Sequence, residues 1–145
     1  MRYVKKTALV AHSAQKMFEL VDDVDSYSEY LPWCTASSVI HRSEQLVKAQ
    51  LELSKGNLNK SFTTLNKLVP GYSIQMELVD GPFSTLEGGW LFKEIGEEGC
   101  EVILDLRFAF ESRLADLMFG SFFEETCGSL VEAFTQRANQ IYLDG

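Results

Sequence analysis

The sequence is poor in the residues that build metal centres and disulfide frameworks, with two histidines and three cysteines among 145 residues. Cys34, Cys100 and Cys127 form an odd set without CxxC spacing, which excludes a disulfide scaffold or zinc site and points to reduced thiols. Prolines number only three, and no linker, low-complexity segment or internal repeat breaks the chain, so residues 1–145 read as one domain. Long hydrophobic runs are also missing. Thr7–Ala11 and Leu117–Phe119 fall far short of the roughly 20 residues a membrane-spanning helix needs. Arg2, Lys5 and Lys6 give the basic start of a signal peptide, but the apolar stretch before His12 and Gln15 is too short for one. The expectation is an unprocessed cytoplasmic protein.

What is abundant is apolar and acidic. Apolar residues make up 46% of the chain, enough for one core, and the formal net charge is −8. The charge is uneven: residues 1–72 carry 9 basic and 7 acidic side chains, residues 73–145 carry 4 and 14. A general affinity for DNA or RNA is excluded, because phosphate binding needs clustered Lys and Arg. An anionic partner must approach the first half, where Lys48, Lys55, Lys60 and Lys67 are the candidates for a basic stripe. The alternative is a merely solvated strand face.

The hydrophobic period changes twice along the chain. Residues 2–11 read as a strand, and Ser13 is placed to cap a helix over Ala14–Val21, with Ala14, Met17, Phe18 and Val21 on one face. Asp22, Asp23 and Asp25 introduce a short second helix or turn with Tyr27 and Tyr30, ended by Leu31-Pro32-Trp33. From Cys34 to Phe110 the period is two. Val47, Ala49, Leu51 and Leu53 alternate with polar residues, as do Ile74, Met76 and Leu78, and the even positions from Cys100 to Phe110. Gly56-Asn57, Pro70-Gly71, Gly81-Pro82 and Gly96–Gly99 supply turns at hairpin distances. Residues 113–143 return to helical spacing, with Leu114, Met118, Cys127, Leu130, Val131, Phe134, Ala138 and Ile141 on one stripe.

These pieces predict an α+β fold: a strand, two short helices, about six further antiparallel strands and one long terminal helix. A sheet that is apolar on one face must cover it, and only the terminal helix is large enough. A curved sheet gripping a helix leaves a gap between them, the natural place for a ligand.

Three blocks of residues carry a resemblance. They are Phe18, Leu20, Val21, Asp23, Val24, Tyr27 and Tyr30 to Cys34; Leu78, Val79, Gly81, Pro82, Phe83, Leu86, Gly88, Trp90 and Phe92; and Val131, Ala133, Phe134, Arg137, Ala138 and Tyr142. With Ser61-Phe62-Thr63-Thr64 they resemble the START-like (SRPBCC) coenzyme Q-binding protein / polyketide cyclase family over nearly the whole chain. Departures fall at Leu65, Gly71 and the tail Leu143-Asp144-Gly145. The resemblance implies a helix-grip (START/Bet v 1-like) fold of about seven strands. It also implies a hydrophobic tunnel that binds ubiquinone or a similar isoprenoid lipid without chemistry and with no required cofactor. For bacterial members it implies instead a toxin-like association with the large ribosomal subunit that blocks subunit joining. A cyclase-like enzyme is the third reading.

The residues bear unequally on these readings. General acid or base work needs a titratable group in the pocket. The inward positions contain no His, Asp, Glu or Lys, and His12 and His41 read as surface or rim histidines without a third partner for a metal or triad. The chain is therefore expected not to be an enzyme. Candidate tunnel walls are Phe62, Met76, Leu86, Trp90, Phe92, Leu106, Phe108, Phe110, Leu130 and Phe134, with ordinary core packing as the alternative. Gly88 reads either as room for a ligand or as a sheet bend. Gly120 and Gly128 read either as loosening a helical lid or as close packing. Ser61, Thr63 and Thr64 are candidate hydroxyls for a polar head group. Tyr30, Leu31, Pro32 and Trp33 are the candidate mouth, with an apolar patch suited to transient contact at the inner membrane face or else buried against the sheet.

Overall fold

Seven strands form one antiparallel, curved sheet in the computed structural model, which describes residues 1–142. They are β1 (Arg2–Val10), β2 (Cys34–Arg42), β3 (Leu46–Lys55), β4 (Leu58–Val69), β5 (Ser73–Asp80), β6 (Phe83–Ile95) and β7 (Gly99–Phe110). Their spatial order is β1-β7-β6-β5-β4-β3-β2, so a six-stranded meander is completed by the first strand pairing with the last. The predicted alternation holds in the register. Ile74 pairs with Trp90, Trp90 with Leu104, and Phe92 with Val102, all on the concave face.

β1 and β2 occupy opposite edges, so the chain between them must cross the trough. It does so as α1 (Ala14–Asp22), a 3₁₀ turn (Val24–Ser26) and α2 (Tyr27–Tyr30). The Ser13 hydroxyl accepts from the Lys16 amide at 3.1 Å, the expected cap, and α1 buries Ala14, Met17, Phe18, Leu20 and Val21.

The terminal helical run is continuous but not uniform: α3 (Arg113–Ala115), a π turn (Asp116–Gly120) and α4 (Ser121–Ile141). Arg2 on β1 explains the break. Its guanidinium donates to both Asp116 oxygens, at 2.9 and 3.1 Å, and to Glu124 at 3.0 Å, drawing the wider turn down onto the sheet edge. A Cβ at Gly120 would stand 2.5 Å from that guanidinium, so Gly120 serves this close approach and does not loosen a lid. At Gly128 a Cβ would meet Lys6 at an ordinary 3.6 Å. The extra residue of the π turn rotates the segment before it by about 100° relative to α4, which takes Leu114 off the predicted stripe and leaves it exposed. Ile141 is likewise exposed, because the last turn packs Ala138 and Tyr142 inward, the latter donating to the Lys16 carbonyl. Residues 143–145, where the predicted helix end and the tail fall, lie outside the described residues.

Gly88 is the sheet bend. Its φ of +127° is one that other residues avoid, and a Cβ there would stand 2.0 Å from the Asp105 carbonyl oxygen on β7. The space its missing side chain leaves is taken by backbone, not by a ligand.

Candidate functional site

Between α4 and the concave face lies an apolar cavity with an unfilled volume of about 70 Å³. Three layers build it. The floor comes from alternate positions of β3 and β4: Ala49, Leu51, Phe62, Thr64 and Asn66. Met76, Leu86, Trp90 and Leu106 form the wall from β5 to β7, and the roof is the α4 face of Phe123, Thr126, Cys127, Leu130 and Phe134. Val24, Tyr27 and Trp33 close the side beneath the crossing segment.

Aromatic edges brace both ends. Trp90 and Tyr27 each lie 5.3 Å from Phe134, Trp90 nearly perpendicular to it, while Phe123 packs edge-on to Phe108 at 4.8 Å and to Phe62 at 5.8 Å. Phe83 and Phe110 complete the second cluster.

Among the described residues no Asp, Glu, Lys, Arg or His lines the cavity. Burial raises the pKa of both ionisable groups that do: Tyr27, whose hydroxyl donates to the Val21 carbonyl, and Cys127. Neither is poised to move a proton at neutral pH. Burial also pushes Cys34 upward and Cys100 up to about 11, so neither is an activated thiol. Among the described residues no group of three or more His, Cys, Asp or Glu side chains is placed to hold a metal ion.

Of the expected wall residues, Phe62, Met76, Leu86, Trp90, Leu106, Leu130 and Phe134 line the cavity. Phe92, Phe108, Phe110 and Gly88 do not: Phe92 packs on Phe18 and Trp90, Phe108 and Phe110 belong to the cluster around Phe83, and Gly88 is spent on the bend. The proposed mouth divides. Tyr30, Leu31, Pro32 and Trp33 all border an outer groove with Ala133 and Arg137 of α4, but Leu31 is only 1% exposed and offers almost no surface to a membrane. There the Arg137 guanidinium lies 4.7 Å over the Tyr30 ring. Among the described residues Trp33 alone lines both the outer groove and the inner cavity, which makes it the partition between them.

Other expectations are revised. The four lysines do not form one stripe: the β3–β4 register puts Lys48 and Lys67 on the convex face, while Lys55 and Lys60 follow the concave parity. Lys55 donates to the Met118 carbonyl at 2.9 Å. Of the candidate hydroxyls, only Thr64 faces the cavity; Ser61 borders a groove on the opposite face and Thr63 is buried elsewhere. His12 is buried rather than at the surface, because its Nε2 lies 2.7 Å from Asn139 Oδ1 under the Tyr142 ring. Sequence reasoning missed several lining residues, among them Ala49, Leu51, Phe123, Thr126 and Asn66, of which Asn66 is the most polar. It is buried in the lining and accepts from the Thr64 hydroxyl at 2.9 Å. Its signal was present in the order Phe62, Thr64, Asn66, Leu68, a strand whose inward positions turn polar midway.

Residues 10–135 match the family described as polyketide cyclase / dehydrase and lipid transport. The chain is 49% identical over 142 residues to the ribosome association toxin RatA of Vibrio cholerae, covering 98% of this chain and 99% of that protein. It is 30% identical over 143 residues to the mitochondrial coenzyme Q-binding protein COQ10 of Drosophila melanogaster, covering 96% of this chain and 59% of that protein. An 18 kDa protein from Caulobacter crescentus, solved in solution, is 30% identical with a TM-score of 0.76, covering 98% of this chain and 99% of that one. The Zhui aromatase/cyclase of Streptomyces sp. R1128 shares the fold, with a TM-score of 0.84 at 17% identity, covering 96% of this chain and 94% of that one.

Proposed function

Because the chain belongs to the START-like polyketide cyclase / dehydrase and lipid transport family, we propose that it is a non-enzymatic binding protein for a hydrophobic small molecule, ubiquinone or a similar isoprenoid lipid. The observation that carries this reading is the lining of the cavity. Among the described residues it is apolar, free of charged side chains, and broken only by a few buried polar groups, the composition of a site that recognises shape and one head group. The name of the Drosophila relative agrees with this class of ligand.

The present volume of about 70 Å³ is small beside the roughly 300–1,000 Å³ of occupied ligand sites, so binding must displace part of the lining. Half-buried lining residues such as Met76, Leu130 and Trp33 are the ones such a displacement would move first. The test is organic extraction and native mass spectrometry of the purified protein, followed by titration with a short-chain ubiquinone. Both tryptophans, Trp33 and Trp90, line the cavity, so bound quinone should quench most of the intrinsic fluorescence. Undiminished fluorescence and an empty extract would overturn the reading. Turnover of a cyclisable polyketide, abolished by changing one lining residue, would overturn its non-enzymatic part.

The name of the Vibrio cholerae relative, which speaks of ribosome association, favours a second reading; with the family resemblance it becomes association with the large ribosomal subunit that blocks subunit joining. Its RNA-facing surface would be the convex side of β3 and β4, where Lys48 and Lys67 stand, Lys67 sharing a groove with Arg107 but also with Glu77 and Glu87. Lys55 and Lys60 would contribute from the hairpin end. Co-sedimentation with purified 50S subunits should fall on K48E/K67E substitution and with rising salt; binding insensitive to both would sink this reading.

A further inference from the structure

The cavity floor contains one feature that an apolar tunnel does not need. Thr64 and Asn66 sit two residues apart on β4, both facing inward and both buried, at 5% and 6% exposure. Burying two polar side chains among Leu, Met, Phe and Trp costs free energy unless their hydrogen bonds are made. Half of the set is made: the Thr64 hydroxyl donates to Asn66 Oδ1 at 2.9 Å. Among the described residues that hydroxyl is the amide's only partner, which engages its oxygen and leaves both Nδ2 hydrogens for whatever enters the cavity. The donor is held in place by its own neighbour. With the amide oxygen turned to Thr64, the nitrogen is the atom left for a ligand.

Asn66 also lies far along the strands from Trp33, the partition to the outer groove. In the β3–β4 register it stands opposite Val47, whereas the Trp33 carbonyl accepts from the Ser54 amide at the other end of β3. Seven residues of strand separate those points, roughly 24 Å at the rise of a β-strand. We propose that Asn66, oriented by Thr64, is the hydrogen-bond donor that recognises a carbonyl oxygen at the head of an apolar ligand, which therefore enters head first and leaves its tail towards Trp33. The ligand class is an amphiphile whose polar end accepts hydrogen bonds and carries no charge, since the lining has no counter-charge to offer. This rests on the lipid-binding reading and sharpens it by giving the ligand a direction.

The test uses two probes with the same tail, a geranyl-substituted 1,4-benzoquinone and geranylbenzene, measured by calorimetric titration against the intact chain and the variants N66L and T64V. The expected result is that N66L lowers affinity for the quinone about tenfold and leaves geranylbenzene unchanged, while T64V gives a smaller loss of the same sign. Infrared spectra of the bound quinone should show a carbonyl stretch shifted to lower frequency in the parent chain and returned to its free position in N66L. Thermal unfolding of each variant separates misfolding from lost recognition, and T64V carries the test if N66L does not fold. Equal loss of both probes, or an unshifted carbonyl in the parent chain, overturns the role of Asn66 while lipid binding stands. Failure of the parent chain to bind either probe overturns the lipid-binding reading and this inference with it.

Discussion

The two halves of the trough are built from the same alternating pattern and end up differently filled. On β6 and β7 the inward positions are large: Leu86, Trp90, Phe92, Leu104, Leu106, Phe108 and Phe110 are all buried, and Phe83 and Phe123 lock edge-on into them. On β3 and β4 only Phe62 is large and meets α4, at Phe123; the other inward positions lining the cavity, Ala49, Leu51, Thr64 and Asn66, are smaller or polar, and the helix, supported by the filled half, does not descend to meet them. The contrast teaches that the cavity is made by side-chain volume on one half of a continuous sheet, not by a gap in the backbone.

The largest test of that contrast is truncation. Phe108→Ala in the filled half should cost about 3–5 kcal/mol in urea unfolding, whereas Leu51→Ala beside the cavity should cost less than half as much, because Leu51 is only half-buried and already borders empty space. Equal costs would erase the distinction. Next comes the bend between the halves: Gly88→Ala places a Cβ against the Asp105 carbonyl at a positive φ and should cost about 2 kcal/mol or more by thermal unfolding.

Enlargement reverses the logic. Ala49→Leu should fill the void with no loss of stability and reduce quinone binding at least tenfold, whereas Ala138→Leu, at a fully buried contact, should cost about 1–3 kcal/mol by overpacking. The smallest effect belongs to the Arg2 latch at the margin of the filled half. Hydrogen bonds from Arg2 hold the Asp116 carboxyl below its ordinary pKa of 3.8. Its contribution is therefore full above that value and is lost as pH falls through the lower, folded one. Asp116→Asn should lower neutral stability slightly and converge with the parent chain as pH falls below about 4, flattening the profile, as urea midpoints across about pH 3–7 would measure.

Much of the fold is written in local pattern, and much of the site is not. The period-two runs, the turn glycines and the Ser13 cap depend on residues near one another in sequence, so they read directly. The π turn depends on Arg2, more than a hundred residues upstream of Asp116, and the burial of His12 depends on Asn139. Neither partner is identifiable before the chain is folded. The separation of Lys48 and Lys67 from Lys55 and Lys60 follows from strand parity, which is legible once the hairpin register is fixed. Which aromatic residues border space and which are packed solid, Trp90 against Phe108 for example, is decided by the neighbours each meets across the trough.

The pairing of the first strand with the last has a kinetic consequence. Arg2 aligns with Phe108 and Val10 with Cys100, so β1 has no sheet partner until the chain has reached β7. The meander from β2 to β7 can assemble by local hairpins as it emerges, but its open edge at β7 stays unpaired until the amino-terminal strand returns over a loop of about ninety residues, the slow and exposed kind of closure. An added amino-terminal tag therefore burdens the final step of folding, while a carboxy-terminal one does not.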